Sequence, residues 1–494
     1  MSGQERRYPI IPLIQERASA PVAPLVADEA HQLALGLPGT LIDNWQSVAI
    51  ARLGELVQSN RALKVFMDTC THCGACTDKC HYFLGSADPN NMPVARQDLL
   101  RRVYQRYFTW TGRFLPKLVG AKELDEDLLQ TWFSYFHQCS ECRRCSVYCP
   151  KGIDTTEVTR AGRDILATVG LGQQYSQRII GKALETGNNL GFSTKALRHT
   201  LDNLEEDLVD ETGIAIPLNL DKRDVDILLV LPSADLYAEP HVDGFLGVAK
   251  VLHAAGVSWT LSTQASEAAN FALFTGNDDA LKTLTLRMRD AAENLGVRQI
   301  VIGECGHAWR VAHSLMPTLV GPMSFLDPAT PLPRHICELT AALLAERRIT
   351  LDPTRNSDKR VTYHDSCNVA RAAGMGSDKQ GQYTLPRQLI KASCPHFFEM
   401  PKDTIKQHTF CCGGGGGLLT DELMEVRIQG ATPRMHALQQ VVDEHDVTHM
   451  ATICAICKTQ FAAVLPEFGL TPEHVISVHQ LVGNAVVLAA ESHS

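Results

Sequence analysis

The 494-residue chain has no run of eighteen consecutive apolar residues, so no membrane-spanning segment is expected. Its start, M-S-G-Q-E-R-R-Y-P-I-I-P, lacks the basic head, apolar core and small-residue cleavage site of a secretory signal. There is no excess of positive charge. Lys+Arg 46 against Asp+Glu 55 give a net −9, which argues against nucleic-acid binding through global charge. The 16 cysteines are too sparse for a small disulfide-stapled fold, and the length suggests about two to four domains. Those cysteines are nevertheless clustered. Eight lie between residues 70 and 149, and most of the rest form tight groups beyond residue 300. In a reducing compartment, clustered thiols point to metal rather than to disulfides.

Residues 1–60 read as a partly helical N-terminal extension rich in Ala, Leu and Pro. Apolar spacing over 45–67 predicts one helix leading into the first cysteine cluster. Residues 61–165 hold the eight clustered cysteines and read as one unit, and 166–222 as a helical connector. From 224 the character changes. D-V-D-I-L-L-V-L-P reads as a buried parallel strand, helical patterns follow, and R-Q-I-V-I-G-E-C-G reads as another strand. This is α/β alternation over 223–350, and a second unit of the same kind covers 355–490. The strand before Pro232 matches the strand before Cys367. N-F-A-L-F-T-G-N matches T-F-C-C-G-G-G-G. I-V-I-G-E-C-G-H-A matches M-A-T-I-C-A-I-C, which sets Cys305 opposite Cys454 and Ala308 opposite Cys457. The expected fold is an α+β multidomain chain: a helical cysteine domain followed by two repeated α/β units, the first degenerate.

The first cysteine run is Cys70, Cys73, Cys76 and Cys80, and the second is Cys139, Cys142, Cys145 and Cys149. Both follow C-x2-C-x2-C-x3-C, the spacing of two-cluster ferredoxins. Three thiolates on a tight loop reach one cubane, and the fourth points to the other. Cys70, Cys73, Cys76 and Cys149 are therefore assigned to one [4Fe–4S] cluster, and Cys139, Cys142, Cys145 and Cys80 to the other. Zinc has no need for such triplets. The first run is followed by His81 rather than Pro.

Fifty-eight residues separate Cys80 from Cys139, and this insertion (about 85–135) is basic and aromatic. From Arg96 to Lys122 there are seven Lys/Arg and one Asp, interleaved with Tyr104, Tyr107, Phe108, Trp110 and Phe114. A solvated face explains this pattern, and so does a docking patch for a membrane partner and the lipid headgroups beside it, carried by Arg101, Arg102 and Arg106. Single-stranded nucleic acid is the weakest reading beside two redox clusters.

Five more cysteines form a second constellation: Cys367, then Cys411-Cys412, then Cys454 and Cys457. Each group follows a predicted strand, and loops at the carboxyl ends of parallel strands converge on one crevice. Five soft ligands suggest an iron–sulfur cofactor with more ligands than a cubane needs, with zinc as the alternative. Gly413, Gly414 and Gly415 open a five-glycine run that would let backbone amides approach such a cluster. No Gly-Lys-Ser/Thr follows, so this is not a phosphate loop.

H-D-S-C, F-C-C-G-G-G-G-G and C-A-I-C resemble the cysteine-rich CCG domain of heterodisulfide reductase catalytic subunits. With the N-terminal cysteine unit, the chain resembles the heterodisulfide reductase D family over about 65–485, and within it the DsrK-type subunits of DsrMKJOP complexes. The resemblance implies a noncubane [4Fe–4S] cluster on Cys367, Cys411, Cys412, Cys454 and Cys457. It further implies electron exchange between a haem b-bearing DsrM-like membrane subunit and a disulfide or trisulfide of a DsrC-like sulfur carrier, at the cytoplasmic face of the inner membrane. Cys305 is the one cysteine left at a ligand position of the first repeat. Glu304, Cys305 and His307 would line the crevice if the repeats face each other, and His364 and Asp365 could manage protons there. Cys337 and Cys394 have no matching partners and are expected to pack. The rival reading is an electron-relay subunit of a lactate, glycolate or glycerol-3-phosphate dehydrogenase. Such subunits commonly keep cysteines in both repeats, and this chain does not.

Overall fold

The computed structural model describes residues 25–238, 241–267, 269–376 and 381–488. The chain forms two compact units. One comprises the chain through Gly181 with Phe271–Asn277 and Phe410–His436; the other comprises Lys182–Asn270, Asp278–Thr409 and Ala437 onward. Among the described residues no helix is long and apolar enough to cross a membrane.

The first unit is helical. Helices Trp45–Ser59, Arg61–Thr69, Pro93–Phe108, Glu126–His137 and Thr155–Thr168 surround a core that includes Leu53, Leu100, Trp132, Phe136, Val158 and Ile165. The single helix expected over 45–67 is two. Asn60 adopts extended backbone and its side chain accepts the Leu63 amide at 3.1 Å, so a cap falls where the apolar period continued. Gly162 lets two helices touch, since a Cβ there would lie 2.2 Å from the Phe136 ring. The two cysteine loops share a backbone pattern. His72 and Gly74 in the first, and Glu141 and Arg143 in the second, are left-handed at matching positions.

The second unit holds two four-stranded parallel sheets. Strands β1 (Ile227–Val230), β2 (Trp259–Thr260), β3 (Gln299–Ile302) and β4 (Arg334–His335) run in the order β2-β1-β3-β4. Strands β5 (Arg360–His364), β6 (His396–Phe397), β7 (His449–Thr452) and β8 (Val475–Ser477) run in the order β6-β5-β7-β8. The repeat expected from sequence is thus the same sheet built twice. The match extends past β3 and β7. Cys305 (φ −137°, ψ 106°) caps the helix Gly306–Ser314, and Cys454 (φ −141°, ψ 121°) caps the helix Ala455–Val464. The repeats join where helix Val242–Ala254 crosses helix Val478–Ala485. A Cβ on Gly483 would lie 2.4 Å from the Cα of Gly247, so neither position admits a side chain. Cys337 and Cys394 are buried, the latter with its thiol against the carbonyls of Asn356 and Lys359.

His335 caps the helix Ile336–Ala345. Its Nδ1 accepts the Cys337 amide at 3.1 Å, and the ring is wholly buried. Burial, with His479 nearby, pushes its pKa down to about 3. An unfolded histidine titrates near 6.5, so below that pH the unfolded chain takes up a proton that the folded chain refuses. The stability is complete above pH 6.5 and is lost as pH falls toward 3. Lowering the pH from 7 to 5 should cost about 2 kcal/mol through this residue. Urea unfolding of His335→Asn, which keeps a capping acceptor, should show a correspondingly shallower acid slope. Equal slopes would remove His335 as the cause.

Candidate iron–sulfur and thiol site

None of the sixteen cysteines is in a disulfide. In the first unit seven of the eight ferredoxin-type cysteines fall into two neighbourhoods. Burial, then Cys149, Cys70 and Cys73, push the Cys76 thiol up to about 11. Burial, then Cys139 and Cys80, push Cys145 up to about 12. Cys149 thus stands near Cys70, Cys73 and Cys76, and Cys80 near Cys139 and Cys145. A cavity is lined by Cys70, Cys73, Gly74, Cys76, Cys145 and Cys149. The Glu141 amide points at Cys139 Sγ, 3.4 Å away. Grouped thiols with left-handed loops and amides aimed at sulfur fit iron–sulfur clusters. Metal binding would displace protons that burial otherwise holds on the thiols.

Cys411 and Cys412 also belong to this unit and are fully buried. The Gly413 amide points at Cys411 Sγ, 3.4 Å away, as it would toward a bound cluster. Gly413 has φ +94°, and a Cβ would lie 2.7 Å from the Arg427 carbonyl, so only glycine fits. Gly414 and Gly415 are buried. Close approach to the second cysteine run falls instead to Gly416, where a Cβ would lie 2.8 Å from the Cys139 carbonyl.

Three side chains tie this loop to the second thiol group. Tyr82 Oη donates to the Gly413 carbonyl at 2.7 Å, and burial holds its pKa well above the usual value, so the hydroxyl keeps its proton. His81 Nδ1 donates to the Gly430 carbonyl at 2.7 Å while Nε2 lies 2.8 Å from Ser140 Oγ. This accounts for histidine after Cys80, since proline carries no such donor. The buried Arg163 guanidinium donates to the carbonyls of Cys139 (2.6 Å), Gly416 (2.8 Å), Phe274 (3.0 Å) and Phe136 (2.8 Å), and pairs with Glu141 at 3.3 Å.

Cys367, Cys454 and Cys457 belong to the second unit. There the two repeats meet at the Cys454 sulfur. His307 Nδ1 lies 3.5 Å from Cys454 Sγ, and Cys305 from the first repeat is hydrogen-bonded to it. Burial alone would raise Cys454, but hydrogen bonds from Cys305, Cys457 and His307 hold it well below the usual thiol range; Cys305 moves the other way. Glu304 is buried beside them. Lys458 and His479 outweigh its burial and hold its pKa to about 2. His479 Nδ1 lies 2.8 Å from Glu304 Oε1, and Lys458 Nζ lies 3.4 Å from Oε2, 3.5 Å from Asp235 and 2.9 Å from Ser477 Oγ. One buried ammonium thus faces two carboxylates.

His364, at the end of β5, packs edge-on against Phe461 with ring centroids 4.8 Å apart. Both oxygens of Asp365 accept from Arg387 at 2.8 Å, and Oδ2 also accepts the Lys406 amide at 2.8 Å. Asp365 therefore braces the loop after β5. Cys367 is buried, with Asn368 Nδ2 3.8 Å from its sulfur. Sequence reasoning passed over Arg163, Tyr82, Lys458 and His479. Arg163 sits in an ordinary amphipathic helix, and its partner Gly416 is 253 positions away, so no local pattern marks it. Lys458 follows Cys457 directly and was readable only as one more helix former.

Two family models match the chain: a 4Fe-4S dicluster domain over residues 66–153 and a cysteine-rich domain over residues 361–462. An Hdr-like menaquinol oxidoreductase iron–sulfur subunit of Archaeoglobus profundus is 39% identical over 480 residues, covering 91% of this chain and 85% of that protein. The D-type subunit of the dihydromethanophenazine:CoB–CoM heterodisulfide reductase of Methanosarcina mazei is 24% identical over 402 residues, covering 79% of this chain and 87% of that protein. An EtfAB:quinone oxidoreductase of Syntrophomonas wolfei is 23% identical over 371 residues, 71% of this chain and 48% of that protein.

Proposed function

On the premise that this chain belongs to the heterodisulfide reductase D-like family of iron–sulfur oxidoreductase subunits, we propose that it exchanges electrons between a quinone-linked membrane partner and a substrate disulfide. The partner in this reading is a haem b-bearing, DsrM-like subunit, and the substrate is a disulfide or trisulfide of a DsrC-like sulfur-carrier protein. The chain works peripherally at the cytoplasmic face of the membrane. Reduction of a disulfide takes two electrons and two protons and yields two thiols.

The observation that carries this reading is the Cys411–Cys412 loop bound to the second ferredoxin-type thiol group by Tyr82, His81 and Arg163. In this assignment the thiols of Cys70, Cys73, Cys76 and Cys149, and of Cys139, Cys142, Cys145 and Cys80, hold two cubanes. A noncubane four-iron cluster on Cys367, Cys411, Cys412, Cys454 and Cys457 would supply single electrons and an iron able to take a substrate sulfur. The chain Cys80–His81–Tyr82, hydrogen-bonded to Gly413 beside Cys412, gives electrons a short connected route between the two ligand sets. Cys305 and His307 lie against the Cys454 sulfur, beside the place where a departing thiolate would take up a proton. Lys458, Glu304 and His479 keep the buried charge beside them balanced.

Electron paramagnetic resonance on the anaerobically purified protein, oxidised with and without substrate thiol, tests the proposal. The expected result is a paramagnetic species distinct from the cubane signals that shifts when thiol is added, with about twelve irons per chain from three clusters. Iron near eight with no thiol-sensitive signal would reduce the chain to an electron relay.

A further inference from the structure

Large apolar side chains exposed to solvent are normally scattered singly. Here four gather within nine residues: Trp110 is 70% exposed, Phe114 67%, Leu115 48% and Leu118 80%. Trp110, Phe114 and Leu118 lie on two consecutive short helices, Trp110–Phe114 and Pro116–Val119, with Leu115 between them and the Trp110 and Phe114 rings 5.4 Å apart. The helices are held rigidly. Thr109 Oγ1 accepts the Gly112 amide at 3.0 Å, Arg113 Nε donates to the Tyr107 carbonyl at 2.9 Å, and the Lys122 amide donates to the Arg102 carbonyl at 3.1 Å.

The charge carried by this segment itself has one sign, with the acids Glu123, Asp125, Glu126 and Asp127 following it. No acidic residue occurs from Leu99 to Lys122, on a chain of net charge −9. The basic residues expected from sequence to form a docking patch are committed elsewhere. Arg101 and Arg102 pair with Asp98 at 3.4 and 3.6 Å, and Arg106 pairs with Glu123 at 2.7 Å. The cations left among the exposed apolar groups are Arg113, Lys117 and Lys122. Of these, Lys117 and Lys122 make no ion pair among the described residues.

We propose that the Trp110–Leu118 segment is an interfacial anchor that seats the protein on an anionic phospholipid surface, with Trp110, Phe114 and Leu118 in the acyl boundary and Arg113, Lys117 and Lys122 on the phosphates. Tryptophan with leucine and phenylalanine, flanked by long cationic side chains, is the composition that partitions to this depth. The three cations interleaved with the apolar tip complement lipid phosphates, and the segment from Leu99 to Lys122 itself carries no acidic group, the nearest in sequence being Asp98 and Glu123. This inference stands independently of the disulfide chemistry proposed above.

The test is co-sedimentation of the full chain with phosphatidylcholine vesicles, with and without phosphatidylglycerol. The chain should bind the anionic vesicles and release at high salt. The double variant Trp110→Ser/Leu118→Ser should lower affinity at least about tenfold on anionic vesicles. The double variant Arg113→Gln/Lys117→Gln should lower it roughly twentyfold, with iron content unchanged in both. Three outcomes would overturn the proposal. One is equal affinity for neutral and anionic vesicles. Another is wild-type lipid binding by both variants with failed assembly on a membrane subunit, which assigns the patch to protein. The third is a lipid-free dimer that the variants dissolve, which assigns it to a second copy of the chain.

Discussion

Arg163→Met should destabilise the first unit by about 3–5 kcal/mol, the largest stability effect expected of a single non-cysteine change. The side chain is 3% exposed and donates to carbonyls from three separate segments: Phe136 and Cys139, Phe274, and Gly416. Methionine fills the volume but donates nothing. Four buried carbonyls would lose a donor, and Glu141, fully buried, would lose its counter-charge. Arg163→Lys separates the two contributions. It keeps the charge for Glu141 but cannot fork toward carbonyls on different segments, so it should recover only part of the loss. Urea unfolding with parallel iron analysis reads both. A loss under about 1 kcal/mol for the methionine variant would show that the carbonyls find other donors.

Cys411→Ser should abolish thiol-linked turnover, by roughly three orders of magnitude or more, while both cubanes remain reducible. Serine is close in size, so the buried loop should keep its bonds to Tyr82 and Arg163. The change exchanges a soft thiolate for a hard, poorly ionised hydroxyl. The thiol-sensitive paramagnetic species should vanish, and the cubane signals should appear on dithionite reduction as in the wild type. Unchanged turnover would move the chemistry away from this loop. Loss of the cubane signals as well would mean that the loop holds the ferredoxin-type sites together, which Tyr82→Phe, lacking only the hydroxyl to Gly413, would then reproduce in part.

Much of the site was legible because metal ligands obey spacing. The two four-cysteine runs suggested thiol groups that exchange their last members, and in the fold Cys149 stands near the first run and Cys80 near Cys139 and Cys145. The repeat was legible for a similar reason. Four-residue apolar strands followed by a capped helix recur in order, and the two sheets share one strand order. Asn60 escaped because a cap interrupts a helix without interrupting its apolar period. The partners of Arg101, Arg102 and Arg106 at Asp98 and Glu123 were not legible, because a count of basic residues does not reveal which acids they meet.

By itself, then, the sequence determined the cysteine clustering, the two repeated α/β units and the family, all of which depend on residue type at short spacing. Only the tertiary structure decided that the matching segments 271–277 and 410–436 pack with the ferredoxin-type helices rather than with the sheets around them in sequence. Only it placed Cys305 and His307 at Cys454, and Lys458 between Asp235 and Glu304. These are pairings across 147 to 223 residues. They follow from where buried polar groups can find partners once the sheets have formed, and desolvation enforces that choice only in the folded interior.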